Sequence, residues 1–263
     1  MVSTLVAVAP GTRHPGGART VEALVARVRH RLPDVPVRTA YDGIQRPSLP
    51  EALAGLPGPA VVVPLLPGSD RLLAEVLAQR LREAGARPGQ PAVLVAAGSS
   101  DPGAQGGTAR AARLLQEVWR GPVRAAHLTG RGERMSSVVA ELDRLGVAPP
   151  AVAPYLVEPG ELHSKARDDA RCLGLTTVAD VLGDHPWVAE TVARRYRAAV
   201  AHRFALSLSS GVLVSSASAS AAPHPDRRRS RRSAQHAALS RLGLAGPGAD
   251  ATPATDAAFP NMP

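Results

Sequence analysis

Short apolar runs alternate along the chain with longer stretches in which apolar residues recur every three or four positions. Thr4 to Ala9 is almost wholly apolar, the pattern of a strand buried on both faces. Ala18 to Leu32 then sets Val21, Leu24, Val25, Val28 and Leu32 on one helical face with arginines opposite. Val35 to Tyr41 reads as a second strand. Residues 47–53 read as a short helix, with Ser48 as N-cap and Glu51 three residues on. Ala60 to Leu66 is a third strand. The helix after it starts at Pro67-Gly-Ser-Asp70, runs through Glu83 and is closed by Gly85, with Leu72, Leu73, Val76, Leu77 and Leu81 as its buried stripe.

A second copy of this order follows. Strands are predicted at Pro91 to Ala97, Val123 to Leu128 and Ala151 to Val157. Helices are predicted at Ala104 to Trp119, Glu133 to Leu145, Glu161 to Leu173 and Pro186 to Arg203. The two copies align without a gap at their first strands. Pro10 falls on Ala97, Gly11 on Gly98, Thr12 on Ser99, Arg13 on Ser100, His14 on Asp101 and Pro15 on Pro102. In each, a buried strand meets a Gly-hydroxyl-x-x-Pro turn and then a helix, the arrangement in which the C-terminal end of a parallel strand opens into a ligand-facing loop. The rhythm predicts an α/β fold with mostly parallel strands and right-handed crossovers.

Beyond Arg203 the periodicity stops. A Ser/Ala run, a basic cluster (Arg227 to Arg229, Arg231, Arg232) and a Pro/Ala/Thr-rich end predict disorder over 204–263, with a short helix possible at 233–242. This tail carries much of the formal net charge of +9, so the charge is weak testimony about the folded part. The composition is 44% hydrophobic but only 3% aromatic, which makes Ala, Val and Leu the core. One cysteine, Cys172, excludes an internal disulfide and a multi-cysteine metal site. No apolar run is long enough for a membrane helix and no signal-like segment opens the chain, so a cytoplasmic protein is expected.

Taken together, several stretches resemble the sirohydrochlorin chelatase family, class II chelatases that insert Fe²⁺ or Co²⁺ into a tetrapyrrole for siroheme or cobalamin synthesis. They are residues 5–17, Gln45-Arg-Pro-Ser-Leu49, Ala60 to Leu66, Val95 to Pro102, Val152 to His163, Asp184-His-Pro186 and Arg194-Arg-Tyr196. The likeness covers most of residues 1–203. It implies a flavodoxin-like chelatase fold of two similar halves, 1–90 and 91–203, the first shortened, followed by the tail. It also implies a sirohydrochlorin-like tetrapyrrole as partner, the metal as a substrate, and no permanently bound cofactor.

The chemistry of metal insertion needs a neutral imidazole to hold the ion, a base to take pyrrole protons, and cations or backbone N–H groups for the macrocycle's carboxylates. Here the chain departs from the family. Pro10 stands where the family has a histidine, so no catalytic residue is intact there. Gly43 stands at the usual acidic position, with Asp42 one step off and on the other face. After Leu66 roughly thirty residues, including the family's second histidine, are missing.

The remaining candidates are Gly11, Thr12, Arg13, Gly98, Ser99 and Ser100 for anionic substituents, and His163 and His14 for metal. His163 occupies the second-half position matching the lost histidine; His185 reads as a helix-start residue. The shortening is expected to uncover part of the first sheet, which a homodimer would cover. Three functions stay open: a sirohydrochlorin chelatase-family protein of impaired or no activity, a non-catalytic tetrapyrrole- or partner-binding relative, and an anionic-surface or nucleic-acid contact through the basic tail. Nucleic acid is the least favoured partner because no aromatic residues interleave with the arginines.

Overall fold

Parallel pairing of short apolar strands around a central one is repeated twice in the structure, a computed structural model that describes residues 2–43, 45–65, 68–100 and 102–210. In the first sheet β1 (Thr4–Ala9) lies between β2 (Val37–Tyr41) and β3 (Ala60–Pro64). In the second, β4 (Ala92–Ala96) lies between β5 (Val123–His127) and β6 (Ala151–Tyr155). All four pairings are parallel, and the registers match: Leu5 faces Val37 and Val61, and Val93 faces Arg124 and Val152.

The connecting helices are α1 (Pro15–Arg31), α2 (Leu49–Ala54), α3 (Arg71–Glu83), α4 (Pro102–Trp119), α5 (Met135–Arg144), α6 (Glu161–Cys172) and α7 (Pro186–Ser210). The predicted faces hold. Val21, Leu24, Val25, Val28 and Leu32 are buried, as are Leu73, Val76, Leu77 and Leu81, while Leu72 is half-buried. Glu51 accepts from the backbone N–H and hydroxyl of Ser48, fixing the start of α2. Gly85, at φ +83°, ends α3 where an L-residue would be strained.

One core joins the halves. Leu5, Ala7 and Ala9 of β1, Leu94 and Ala96 of β4, and Ala153 and Tyr155 of β6 belong to a single cluster with α1, α3, α4 and α7. A second cluster lies on the other face of the second sheet, where Val93, Val95, Ala126 and Val152 meet α5 and α6.

The repeat also shows what is missing. Between β6 and α7 the chain uses residues 156–185, which form α6 and a segment whose Val178 bridges in parallel to Val152. Between β3 and α3 it uses only residues 65–70. The first half therefore lacks the counterparts of α6 and of that bridging segment. Val62 and Pro64, on the side that α6 would cover, are only half-buried.

Helix α7 continues to Ser210, past the expected boundary at Arg203. The predicted tail beyond Ser210 and its helix at 233–242 lie outside the described residues. Among the described residues no helix is long and apolar enough to cross a membrane.

Candidate functional site

The loops leaving the C-terminal ends of β1, β3 and β6 meet. Pro159, after β6, places its carbonyl oxygen 2.7 Å from where a side-chain carbon on Gly17 would stand, and Gly160 packs equally closely on the Thr12 hydroxyl. The hydroxyl of Tyr155 reaches the Gly68 carbonyl, 2.5 Å away on the β3–α3 connection. The mouth is thus built from both halves.

On the first-half side, Gly11 has φ +82°, which lets the chain turn directly off β1. The Thr12 backbone N–H donates to Gln45 Oε1 at 2.8 Å, tying this loop to the one after β2. The Thr12 hydroxyl accepts from the backbone of His14 at 3.1 Å. His14 is exposed, and its Nδ1 accepts from the Gly16 N–H, so it caps α1. Arg13 is exposed and makes no hydrogen bond or ion pair among the described residues.

A shallow, open cleft of about 640 Å³ lies where this loop meets α6. Arg13, His14 and Pro15 line one wall, and Gly160, Glu161, Ser164, Lys165, Asp168 and Asp169 line the other. Lys165 is held by Asp169 at 3.0 Å, which leaves Arg13 as the uncommitted cation. The first turn of α6 adds backbone N–H groups with no side-chain cap, a favourable setting for a carboxylate.

His163, in that same turn, is buried, and its Nε2 has no hydrogen-bond partner. Asp180 lies 3.9 Å away. Burial pushes its pKa down, and the nearby His14 and Arg167 act in the same direction against Asp180. The imidazole is therefore neutral at pH 7, the form that binds a metal ion. The two candidate histidines are close enough to feel each other's charge, although they come from different halves.

The second-half turn does not join this cavity. Gly98, at φ +99°, is closed over by the Thr129 carbonyl, only 2.0 Å from where a side-chain carbon would stand. Ser99 bridges to Arg131 and its carbonyl accepts from Gln105, while Ser100 is exposed. The repeat thus kept the turn's shape but lined the cavity from one copy only.

Pro10 and Gly43 stand together, the Pro10 carbonyl oxygen 3.4 Å from where a side-chain carbon of Gly43 would sit. Asp42 is half-buried, and desolvation pushes its carboxyl pKa up. His185 caps α7, its Nδ1 accepting from the Trp187 N–H at 3.2 Å. Among the described residues no three His, Cys, Asp or Glu side chains are arranged to hold an ion.

Two polar residues near the strand ends were not singled out as candidates by the sequence. Glu158 and His127 each enclose side-chain polar atoms without a partner. Glu158 ends the apolar run Leu156-Val157 within the Val152 to His163 stretch, and His127 ends a strand.

Comparison with known proteins agrees with this architecture. The CbiX family profile matches residues 4–86 and again residues 91–199. SirB from Bacillus subtilis with Fe³⁺ superposes with a TM-score of 0.63 at 22% identity, covering 75% of this chain and 95% of that one. The sirohydrochlorin chelatase SirB from Bacillus subtilis subspecies spizizenii, in complex with cobalt, gives 0.58 at 18% identity over 75% and 94%. No curated protein sequence matches significantly. With both repeats matched by one profile and the strand–helix order of each half accounted for, the chain belongs to the CbiX family.

Proposed function

We propose that this chain binds a sirohydrochlorin-like tetrapyrrole at the mouth shared by its two sheets and inserts metal poorly or not at all. The observation that carries this reading is the pairing of Pro10 with Gly43. Two positions expected to hold an imidazole and a carboxylate lie side by side, and neither residue offers a metal ligand or a proton acceptor.

Binding is supported independently. Arg13 and the uncapped first turn of α6 offer positive charge and N–H groups to a polycarboxylate. The structural neighbours solved with Fe³⁺ and with cobalt support Fe²⁺ or Co²⁺ as the metal substrate. A weaker second reading is residual insertion with the ion held by His163. It is favoured by the neutral, unpartnered Nε2 of that residue.

Anaerobic mixing of the full chain with sirohydrochlorin and Co²⁺, followed by absorbance, separates the two. Saturable binding of the macrocycle with metallation at the uncatalysed rate is expected. Turnover well above that rate would overturn the non-catalytic reading, and loss of such turnover in His163→Ala would assign it to His163.

A further inference from the structure

The two halves differ at the outer edge of one strand. In the second half β6 is paired on its outer side at Val152, whose N–H donates to the Thr177 carbonyl and whose carbonyl accepts from the Ala179 N–H, both at 2.9 Å. Val62 holds the same place in the first sheet: it faces Val6 of β1 as Val152 faces Val93 of β4, and Val6 falls on Val93 in the alignment of the copies. Alternate residues of β3 turn to β1, as the bonds from Thr4 N–H to the Pro59 carbonyl and from Leu65 N–H to the Val8 carbonyl show. The N–H and carbonyl of Val62 therefore point outward from an edge strand, and no described residue bonds to either.

A donor and an acceptor left open on one residue are complementary to themselves. Two such edges running antiparallel about a twofold axis form one hydrogen-bonded pair, each N–H meeting the other's carbonyl. We propose that the β3 edge is a dimerisation surface on which a second copy of this chain pairs antiparallel through Val62. The dimer gives the first sheet what the 177–179 segment gives the second.

Charge favours a second copy over a different partner. Residues 52–69 carry no charged side chain, in a chain that is 20% charged. At a twofold axis every side chain lies near its own copy, so a charge there would meet its like, and this stretch brings none. An acidic or basic partner has nothing here to pair with. The half-buried Val62 and Pro64 side chains add apolar surface on the side that α6 would cover. Pro64 has no N–H, and Arg195 takes its carbonyl at 3.3 Å, so pairing centres on Val62. Pro154 stands at the matching place in β6, where the edge is likewise paired at Val152.

Sedimentation equilibrium of the full chain from about 1 to about 200 µM is expected to show a monomer–dimer equilibrium, because so small a contact lies at the weak end of protein interfaces. Amide exchange at Val62 should slow about fivefold or more as the dimer forms. Val62→Glu and Val62→Lys each place like charges at the axis and should weaken the dimer about tenfold or more. Mixing the two variants should restore association, a gain that misfolding cannot produce.

A monomer at every concentration would overturn the proposal. Free exchange at Val62 would then mean an edge left open to another protein, and protection at every dilution an edge filled by the chain itself. A dimer unweakened in both variants, or variants that associate no better mixed than alone, would place the contact elsewhere and overturn it too.

Discussion

The hydroxyl of Tyr155 donates to the carbonyl oxygen of Gly68 at 2.5 Å, joining the last strand of the second half to the shortened loop of the first. The junction is finished by other second-half residues. Arg195 donates to the Pro64 carbonyl at 3.3 Å and lies against Gly68, and Asp70, the N-cap of α3, takes Arg194 and Thr191. The short connection is therefore served by partners more than eighty residues away, as a built feature of the fold. Tyr155→Phe removes one buried donor and leaves the Gly68 carbonyl unsatisfied. A loss of about 1–2 kcal/mol in urea unfolding is expected, with an unchanged m-value.

Gly17 tests the contact between the halves at the other side of the mouth. A methyl there would stand 2.2 Å from Thr12 Cγ2 and 2.7 Å from the Pro159 carbonyl oxygen, and a backbone carbonyl cannot simply swing away. Gly17→Ala is expected to cost about 1–3 kcal/mol despite the gain in helix propensity, and to weaken tetrapyrrole binding by parting the two loops. Gly106, within α4, has nothing within 4 Å of the same position. Gly106→Ala should be neutral or stabilising by up to about 1 kcal/mol. Equal effects of the two substitutions in thermal melts would contradict this account of the contact.

The strands and the helix faces were legible in the sequence because periodicity is local. Boundaries were less so. Helix α1 begins at Pro15, ahead of the expected Ala18, because His14 caps it and proline tolerates the first turn. The place of His14 in the ligand-facing turn was legible, but its cap was not. The shortened first half was read from the missing stretch after Leu66, and the repeat in space identifies the lost pieces as the counterparts of α6 and its bridging segment. The cavity escaped the sequence reading. Its walls are the β1–α1 loop and α6, about 150 residues apart, and no pattern within either predicts that they face each other. Residues 11–13 and 98–100 match in sequence, yet only Arg13 of the two turns lines the cavity, and the Thr129 carbonyl packs where a side chain on Gly98 would stand.

His127, at the end of β5, supplies a prediction of opposite sign to most substitutions. Both ring nitrogens are enclosed, with the Glu133 backbone beside the ring as its nearest acceptor, and the ring packs against Gly132, 2.4 Å from where a side-chain carbon would stand. Burial, helped by Arg134, holds its pKa below the usual histidine value against the pull of Glu133. A depressed histidine contributes stability above its unfolded pKa of about 6.5, and that contribution is lost as pH falls through the folded value. His127→Phe is expected to leave stability within about 1 kcal/mol at pH 8. At pH 5 the variant should be the more stable of the two by denaturant unfolding. A greater loss at pH 5 than at pH 8 would mean that the ring holds a partner when protonated.

The buried carboxylate of Glu158 predicts a stability profile of its own, separate from any ligand. Its folded pKa is raised to about 7, so its favourable contribution is complete below the unfolded value of about 4.3 and is lost as pH rises through neutrality. Above pH 7 the native chain carries an ionised group that would be better solvated on unfolding. Glu158→Gln removes that penalty while keeping the shape. Discounted for the solvent that still reaches the side chain, the gain is on the order of 1–2 kcal/mol at pH 8. It should vanish near pH 4, where both side chains are neutral. Urea unfolding of the two proteins across this range checks it. A variant less stable than the unaltered chain at pH 8 would mean that the carboxylate has a donor in solution.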